Sequence, residues 1–339
     1  MKIDAFPHII PQRFYERMQT VSEAASKYMR RRVSAIPMLV DLELRFRLMD
    51  QNPGYQQVLT AAGPGIESFC DPQVSPELAR IANDGMAELV SKHPDRFIGF
   101  AASLPMNNID ACLQETDRAI QQLGARGVQI FTNVNGRPLD EVEFRPLFQK
   151  MAGYDLPVWL HPARPSTFPD YMTEKHSRYE LWWVFGWPYE SSVAMARLVF
   201  TGIFDELPNL KIITHHLGAM IPYFEGRIGP GLDQLGSRTP EHEKHLYEHH
   251  LKRRPLDYFR MFYADTAISG PGPMECGLAF FGVDHVLYGS DMPFDHEGGY
   301  FNVCETMRTV DAASLAPADR AKIYEGNARA LLKLPGSAA

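Results

Sequence analysis

Short apolar or β-branched runs alternate along this chain with longer amphipathic ones. The short runs fall at residues 2–6, 57–60, 97–102, 127–131, 157–161, 211–216, 261–265 and 285–290. Between them, residues 76–91, 108–123, 144–152, 191–203 and 273–281 repeat apolar positions every three or four residues, as at Leu78, Ile81, Met86 and Leu89. That spacing predicts helices with one buried face. Strands alternating with helices predict βαβ units and a parallel sheet, and eight units close into a (β/α)8 barrel. A doubly wound open sheet is the competing fold, but no GxGxxG follows the first strand. At 339 residues the chain suits one barrel domain, residues 1–339, of about 250 residues plus insertions. Two stretches lie outside the barrel pattern: residues 11–36, with Arg30-Arg31-Arg32 after strand one, and residues 162–188, with Trp182, Trp183 and Trp187 after strand five. Both sit on the side where specificity loops lie.

Several strand-like runs end on histidine or aspartate. Ile3-Asp4 leads to His8; Val158-Trp159-Leu160 ends on His161; Ile212-Ile213-Thr214 ends on His215-His216; Val286-Leu287-Tyr288-Gly289-Ser290 ends on Asp291. Parallel barrel strands open at one face, so these residues are expected to meet there. Imidazole and carboxylate suit zinc, manganese or iron(II). Each residue has a plainer reading: His8 as an ordinary core or surface histidine, Asp291 as a helix N-cap. Pro162 stops its strand and leaves His161 at the rim, while a buried Asp291 needs a cation or donors. His215 and His216 are adjacent, and in a strand they point to opposite faces, so one of them is expected to face the site. Residues 241–254, with His242, His245, His249 and His250 among Glu and Lys, read as a solvated helix face rather than a metal tract.

Charge and composition narrow the partners. The net charge is −7 with 45% hydrophobic residues, and nucleic acid or an anionic membrane would demand clustered Lys and Arg. Any bound anion must be held by particular arginines. No apolar run approaches the roughly 20 residues of a membrane span, and no charged-then-apolar leader precedes strand one. Cys70, Cys112, Cys276 and Cys304 show no CxxC spacing. A reducing cytoplasm is expected.

The stretches Lys2-Ile3-Asp4 through His8-Ile9-Ile10-Pro11, residues 45–50, Gly127-Val128-Gln129-Ile130, Pro157-Val158-Trp159-Leu160-His161-Pro162, Gly186-Trp187-Pro188-Tyr189-Glu190, residues 208–218, residues 222–227 and Val286-Leu287-Tyr288-Gly289-Ser290-Asp291-Met292-Pro293 together resemble the amidohydrolase superfamily. Within it they resemble the branch typified by aminocarboxymuconate-semialdehyde, γ-resorcylate and 5-carboxyvanillate decarboxylases. The resemblance implies metal ligands at His8, His161 and Asp291, and an acid/base or water-activating histidine at His216, alone or with Asp291. It implies substrate-carboxylate arginines at Arg227, in some relatives across a dimer interface, and at Arg45, with Arg47 as the alternative; the plain reading of these is surface ion pairs. Trp187 and its neighbours would supply flat apolar walls.

One departure stands out. Where the family places its first histidine or a glutamate, this chain has Phe6, so strand one offers His8 alone. Three protein ligands still suffice for a catalytic metal, with His216 available as a fourth; otherwise the site has weakened. Residues 127–131 offer no bridging Lys or Glu, so one divalent ion, zinc or manganese, is expected. The implied activity is metal-dependent decarboxylation of a small aromatic or unsaturated carboxylic acid. The alternatives are a hydrolase or hydratase acting on a lactone or ring-cleavage product of aromatic catabolism, and an inactive binding protein. A homodimer is expected from the role implied for Arg227 and from the aromatic insertions.

Overall fold

The computed structural model describes residues 1–243, 251–268 and 270–334. Eight parallel strands form the barrel: β1 Lys2–Asp4, β2 Tyr55–Ala61, β3 Phe97–Phe100 continued by Ala102–Ser103, β4 Val128–Phe131, β5 Val158–His161, β6 Ile212–Thr214, β7 Tyr263–Asp265 and β8 Val286–Leu287. Neighbours in sequence are neighbours in the sheet, with β4 and β5 paired over four residues from Val128↔Val158 to Phe131↔His161. The Ala5 N–H donates to Tyr288 O at 2.8 Å and the His8 N–H to Met292 O at 2.8 Å. These bonds join β8 back to the first strand, so the ring closes without a free edge.

Alternation along each strand decides what fills the ring and what faces the helices. Ile3, Val58, Ala101, Trp159, Ile213 and Leu287 pack as one fully buried cluster, while their neighbours Val128, Val158, Leu160, Ile212 and Val286 pack with the helices. The Trp159 indole donates to Ala5 O at 2.8 Å, and Ala328, Leu331, Leu332 and Leu334 pack against the same interior cluster. With the ring so filled, the next inward positions, His161, His215, Asp265 and Asp291, are the first that can meet in a polar layer.

The expected helices form at Ser75–Lys92, Ile109–Gln121, Arg145–Tyr154, Gly186–Phe200 and Pro271–Phe281. Asn108 caps the second, its side chain accepting from the Ala111 N–H. The stretch at residues 11–36 is itself helical, Gln12–Met18 and Glu23–Ala35, the latter capped by Ser22. Gly186–Phe200 starts five residues earlier than the apolar spacing suggests, because Pro188 is tolerated in a first turn. Trp187 therefore sits on a helix rather than on a loop. Tyr300–Ala312 lacks a clear apolar period and was not anticipated. No helix among the described residues is long and apolar enough to cross a membrane. Of the histidine-rich run, His242 is exposed, while His245, His249 and His250 lie outside the described residues.

Candidate metal centre

Three imidazoles and a carboxylate converge where the strands end. The ligand atoms of His8, His161 and His215 lie within 4.8 Å of one another, and so do those of His215, His216 and Asp291. His8 Nε2 is 3.2 Å and His215 Nε2 3.3 Å from Asp291 Oδ1. Donors about 2.1 Å from a tetrahedral ion stand about 3.4 Å apart, so this spacing suits a bound metal.

The second nitrogen of each ring fixes which atom is free. The Thr60 hydroxyl donates to Pro7 O at 2.7 Å and stands 3.1 Å from His8 Nδ1, so it accepts the His8 Nδ1–H. His161 Nδ1 donates to Pro162 O at 2.7 Å, and His215 Nδ1 donates to the Asp265 carboxylate. Each bond makes Nε2 the nitrogen whose lone pair a cation can take when that ring is neutral. The Nε2 atoms of His8 and His215 are buried without a hydrogen-bond partner, a costly state that a cation would relieve. Donor type, spacing and orphaned atoms all fit one divalent ion.

Charge in the pocket agrees. Burial pushes His8 down, and pushes His161 well below the ordinary histidine value with help from the other two rings, a direction that favours the neutral imidazole a cation needs. Burial also works against His215, but Asp265 and Asp291 overcome it and hold the ring's proton up to about 10. Burial would raise Asp291, yet His215, His216 and His8 together hold it well below the usual carboxylate range.

His216 differs from the other three. Its Nε2 lies 3.6 Å from Asp291 Oδ2, and its side chain is 19% exposed against 0% for His8 and His215. Its Nδ1 has no partner among the described residues. The expectation that only one of His215 and His216 faces the site is corrected. β6 ends at Thr214, and His216 and Leu217 adopt left-handed backbone, φ 56° and 52°, which turns the second ring back beside the first, 3.8 Å between centroids.

Aromatic rings wall the centre. Trp187 stands 5.5 Å edge-on from His161 and 6.3 Å stacked from His216, with its Nε1 buried and unpartnered. Phe131 lies 5.1 Å from His161 and Phe294 5.2 Å from His8.

The arginines are redistributed. Arg45, expected to bind a substrate anion, is fully buried; its guanidinium donates to Gln57 Oε1 and to the His8 and Met38 carbonyls. Its Nη1 and Nη2 are taken up while Nε is buried without a partner among the described residues, and the bond to the His8 carbonyl makes it a prop for the His8 backbone. Arg47 is exposed beside Glu43 at 3.4 Å, the plain ion pair. Arg227 is exposed on the helix Glu225–Leu232, and its side chain has no ion pair among the described residues. Arg32 stands one ring away from the centre: its guanidinium carbon lies 4.3 Å above Phe294, whose ring is 5.2 Å from His8, and its Nε is buried without a hydrogen-bond partner among the described residues. Sequence reasoning passed over Arg32 and Asp265 and, of the His215-His216 pair, favoured His216, although counting inward positions from Ile213 and Tyr263 points to His215 and Asp265.

Comparison with known proteins gives a consistent result. The model of the amidohydrolase family matches residues 40–334. A γ-resorcylate decarboxylase of a Rhizobium species is 33% identical over 322 residues, covering 88% of this chain and 89% of that protein. The crystal structure of a 2,6-dihydroxybenzoate decarboxylase with 2,6-dihydroxybenzoate bound is 28% identical with a TM-score of 0.75, covering 98% and 99% of the two chains. A dihydroxybenzoic acid decarboxylase from Polaromonas, solved with manganese and 2-nitroresorcinol, is 27% identical with a TM-score of 0.75, covering 98% and 96%.

Proposed function

We propose that this chain, which belongs to the amidohydrolase family, is a metal-dependent carbon–carbon lyase that removes the carboxylate from a small hydroxylated aromatic acid. The observation that carries the reading is that His8, His161 and His215 form one donor group and His215, His216 and Asp291 another, joined through His215 and the Asp291 contacts to His8 and His215, with aromatic walls around them. His8, His161 and Asp291 would hold the ion, for which manganese is the first choice because the Polaromonas relative contains it. Bound there, the ion supplies a positive field that fixes a carboxylate and its neighbouring hydroxyl.

The protein's own groups supply the rest. Trp187, Phe131 and Phe294 sandwich a flat ring, and Arg32 neutralises the substrate's negative charge. Decarboxylation needs a proton added at the ring carbon that bears the carboxylate. The C–C bond then breaks, its electron pair returns to the ring, and CO2 departs, leaving C–H. His216, exposed to the mouth and 3.6 Å from Asp291, is with that carboxylate the pair that holds and moves this proton. The exposed Arg227 and the exposed aromatics Phe185, Tyr189 and Tyr223 support a homodimer, and four unpaired cysteines support a cytoplasmic home.

The test is a panel of ortho-hydroxybenzoates offered to manganese-loaded protein, with CO2 and the decarboxylated arene measured. We expect release of both, loss of it on chelation, recovery with manganese, and a fall in kcat of about 100-fold or more for His216→Ala. Water added to the substrate with no CO2 released would sink the proposal.

A further inference from the structure

We infer that His215 is the metal ligand that strand one no longer supplies: Phe6 has taken the place of a donor, and the residue directly after β6 has stepped in. The inference rests on the single-metal reading above and concerns which residues complete it. Phe6 presents only carbon to the centre. Its ring lies flat on the His215 imidazole, 3.9 Å between centroids and 16° between planes, with 5.6 Å to His8 and 6.1 Å to His161. A Cβ on Gly289 would stand 3.2 Å from Phe6 Cβ and 2.9 Å from Asp265 Cβ. The bare glycine is what lets both side chains reach inward, and Phe6 acts as a wedge that presses one face of the His215 ring into position.

His215 meets every requirement of a ligand. It is the one residue shared by both donor groups. Its Nδ1 is clamped by Asp265, and Asp265 is itself fixed by the Leu217 N–H at 3.3 Å and the Ala267 N–H at 2.9 Å. The carboxylate–imidazole pair aims Nε2 at Asp291 and raises its basicity, as outer partners of metal-bound histidines do. That Nε2 is buried without a hydrogen bond among the described residues, 3.3 Å from Asp291 Oδ1. His8 and His161 show the same construction, with Nδ1 tied to oxygen. His216 lacks it, since its Nδ1 is untied. The ligand set is therefore His8, His161, His215 and Asp291, and His216 remains free to carry protons.

Manganese affinity, read from the electron paramagnetic resonance signal of unbound Mn(II) and from bound metal after dialysis, tests this without reference to activity. Wild type is expected to hold one ion. His215→Ala should weaken binding by at least about tenfold, His216→Ala should change it less than about twofold, and Phe6→His added to His215→Ala should recover part of the loss. If His215→Ala binds as wild type does, the inference is overturned while the single-metal reading stands; if wild type binds no ion, that reading itself falls. Should His215→Ala fail to fold by circular dichroism, wild-type crystals soaked in manganese decide. An anomalous peak roughly 2 Å from His215 Nε2 supports the assignment, and one beyond coordination distance of that atom overturns it.

Discussion

Arg32 is a cation one ring away from the metal donors, with no ion pair to an acid among the described residues. Its guanidinium rests on Phe294, which touches His8, and its Nε is closed off from solvent without an acceptor. An unsatisfied half-buried guanidinium is costly, and a carboxylate or phenolate oxygen arriving with substrate would remove that cost. Arg32→Ala should therefore raise KM by about 10- to 100-fold with a smaller effect on kcat, an energy of about 1.5–3 kcal/mol for a hydrogen bond to charge. Arg32→Lys should recover only part, because a point charge lacks the fork. Steady-state kinetics on the substrate found by CO2 release checks both; an unchanged KM in Arg32→Ala would reject the role. At this scale the sequence was legible for His8, His161 and Asp291, each stranded at the end of an apolar run. It misled at Arg45, because a helix pattern shows which face is apolar but not that the whole helix Leu42–Asp50 leans its arginine under the barrel. Arg32 was invisible as a site residue within three consecutive arginines, since only the tertiary approach of Phe294 selects one of them.

The eight strands were placed from the sequence, because a buried parallel strand must be apolar and short. The turn after β6 was not. From His216 to Ala219 four successive residues carry positive φ, 56°, 52°, 78° and 57°, a conformation that costs a non-glycine residue about 1–3 kcal/mol and that no residue type here announces apart from Gly218. Packing from a distant helix enforces it. Leu217 enters a notch in Pro271–Phe281, where a Cβ on Gly277 would come within 2.4 Å of the leucine side chain, and Gly218 lies against Phe281, where a Cβ would meet the ring at 2.5 Å. The strain is spent on aiming His216 at Asp291. Gly277→Ala adds one methyl in that notch. Overpacking should cost about 1–3 kcal/mol, offset by about 0.5–1 kcal/mol of helix preference. Leu217 must shift, and His216 with it, so kcat should fall by about tenfold or more. His215, one residue nearer the strand, should still hold manganese with near-wild-type affinity. Measuring kcat and bound metal on one sample separates the two; loss of metal together with kcat would place His216 among the ligands.

The barrel as a whole carries buried acids that are not part of the metal centre, and they shape how its stability follows pH. Glu67 follows β2 in the short helix Ile66–Ser68, buried to 4% exposure, its carboxylate so close beneath Gly65 that a Cβ there would meet Oε1 at 2.3 Å. No cation pairs with it among the described residues, and burial raises it from 4.5 to about 7. Burial also raises Asp4, against the bonds it accepts from Ser290, Tyr55 and the Phe6 N–H. A carboxyl whose folded pKa exceeds its unfolded value keeps its proton longer when folded. Below the unfolded value of 4.5 both states are protonated and nothing is lost. Between 4.5 and about 7 the unfolded chain has released the proton and the fold has not, so stability falls as pH rises. Above about 7 the loss is complete, about 3 kcal/mol for Glu67. Depressed acids such as Asp291 work the other way, losing their contribution as pH drops below the ordinary carboxylate value, so stability should peak on the acid side of neutrality. Glu67→Gln removes the first limb without removing the side chain's volume. Urea midpoints at fixed manganese should show the variant gaining on wild type from pH 5 to about pH 7 and levelling off by pH 8, with metal-linked protonation cancelling in the difference between the two proteins. A constant difference across that range would mean that Glu67 is already ionised in the fold, held by a donor or an ion beneath Gly65.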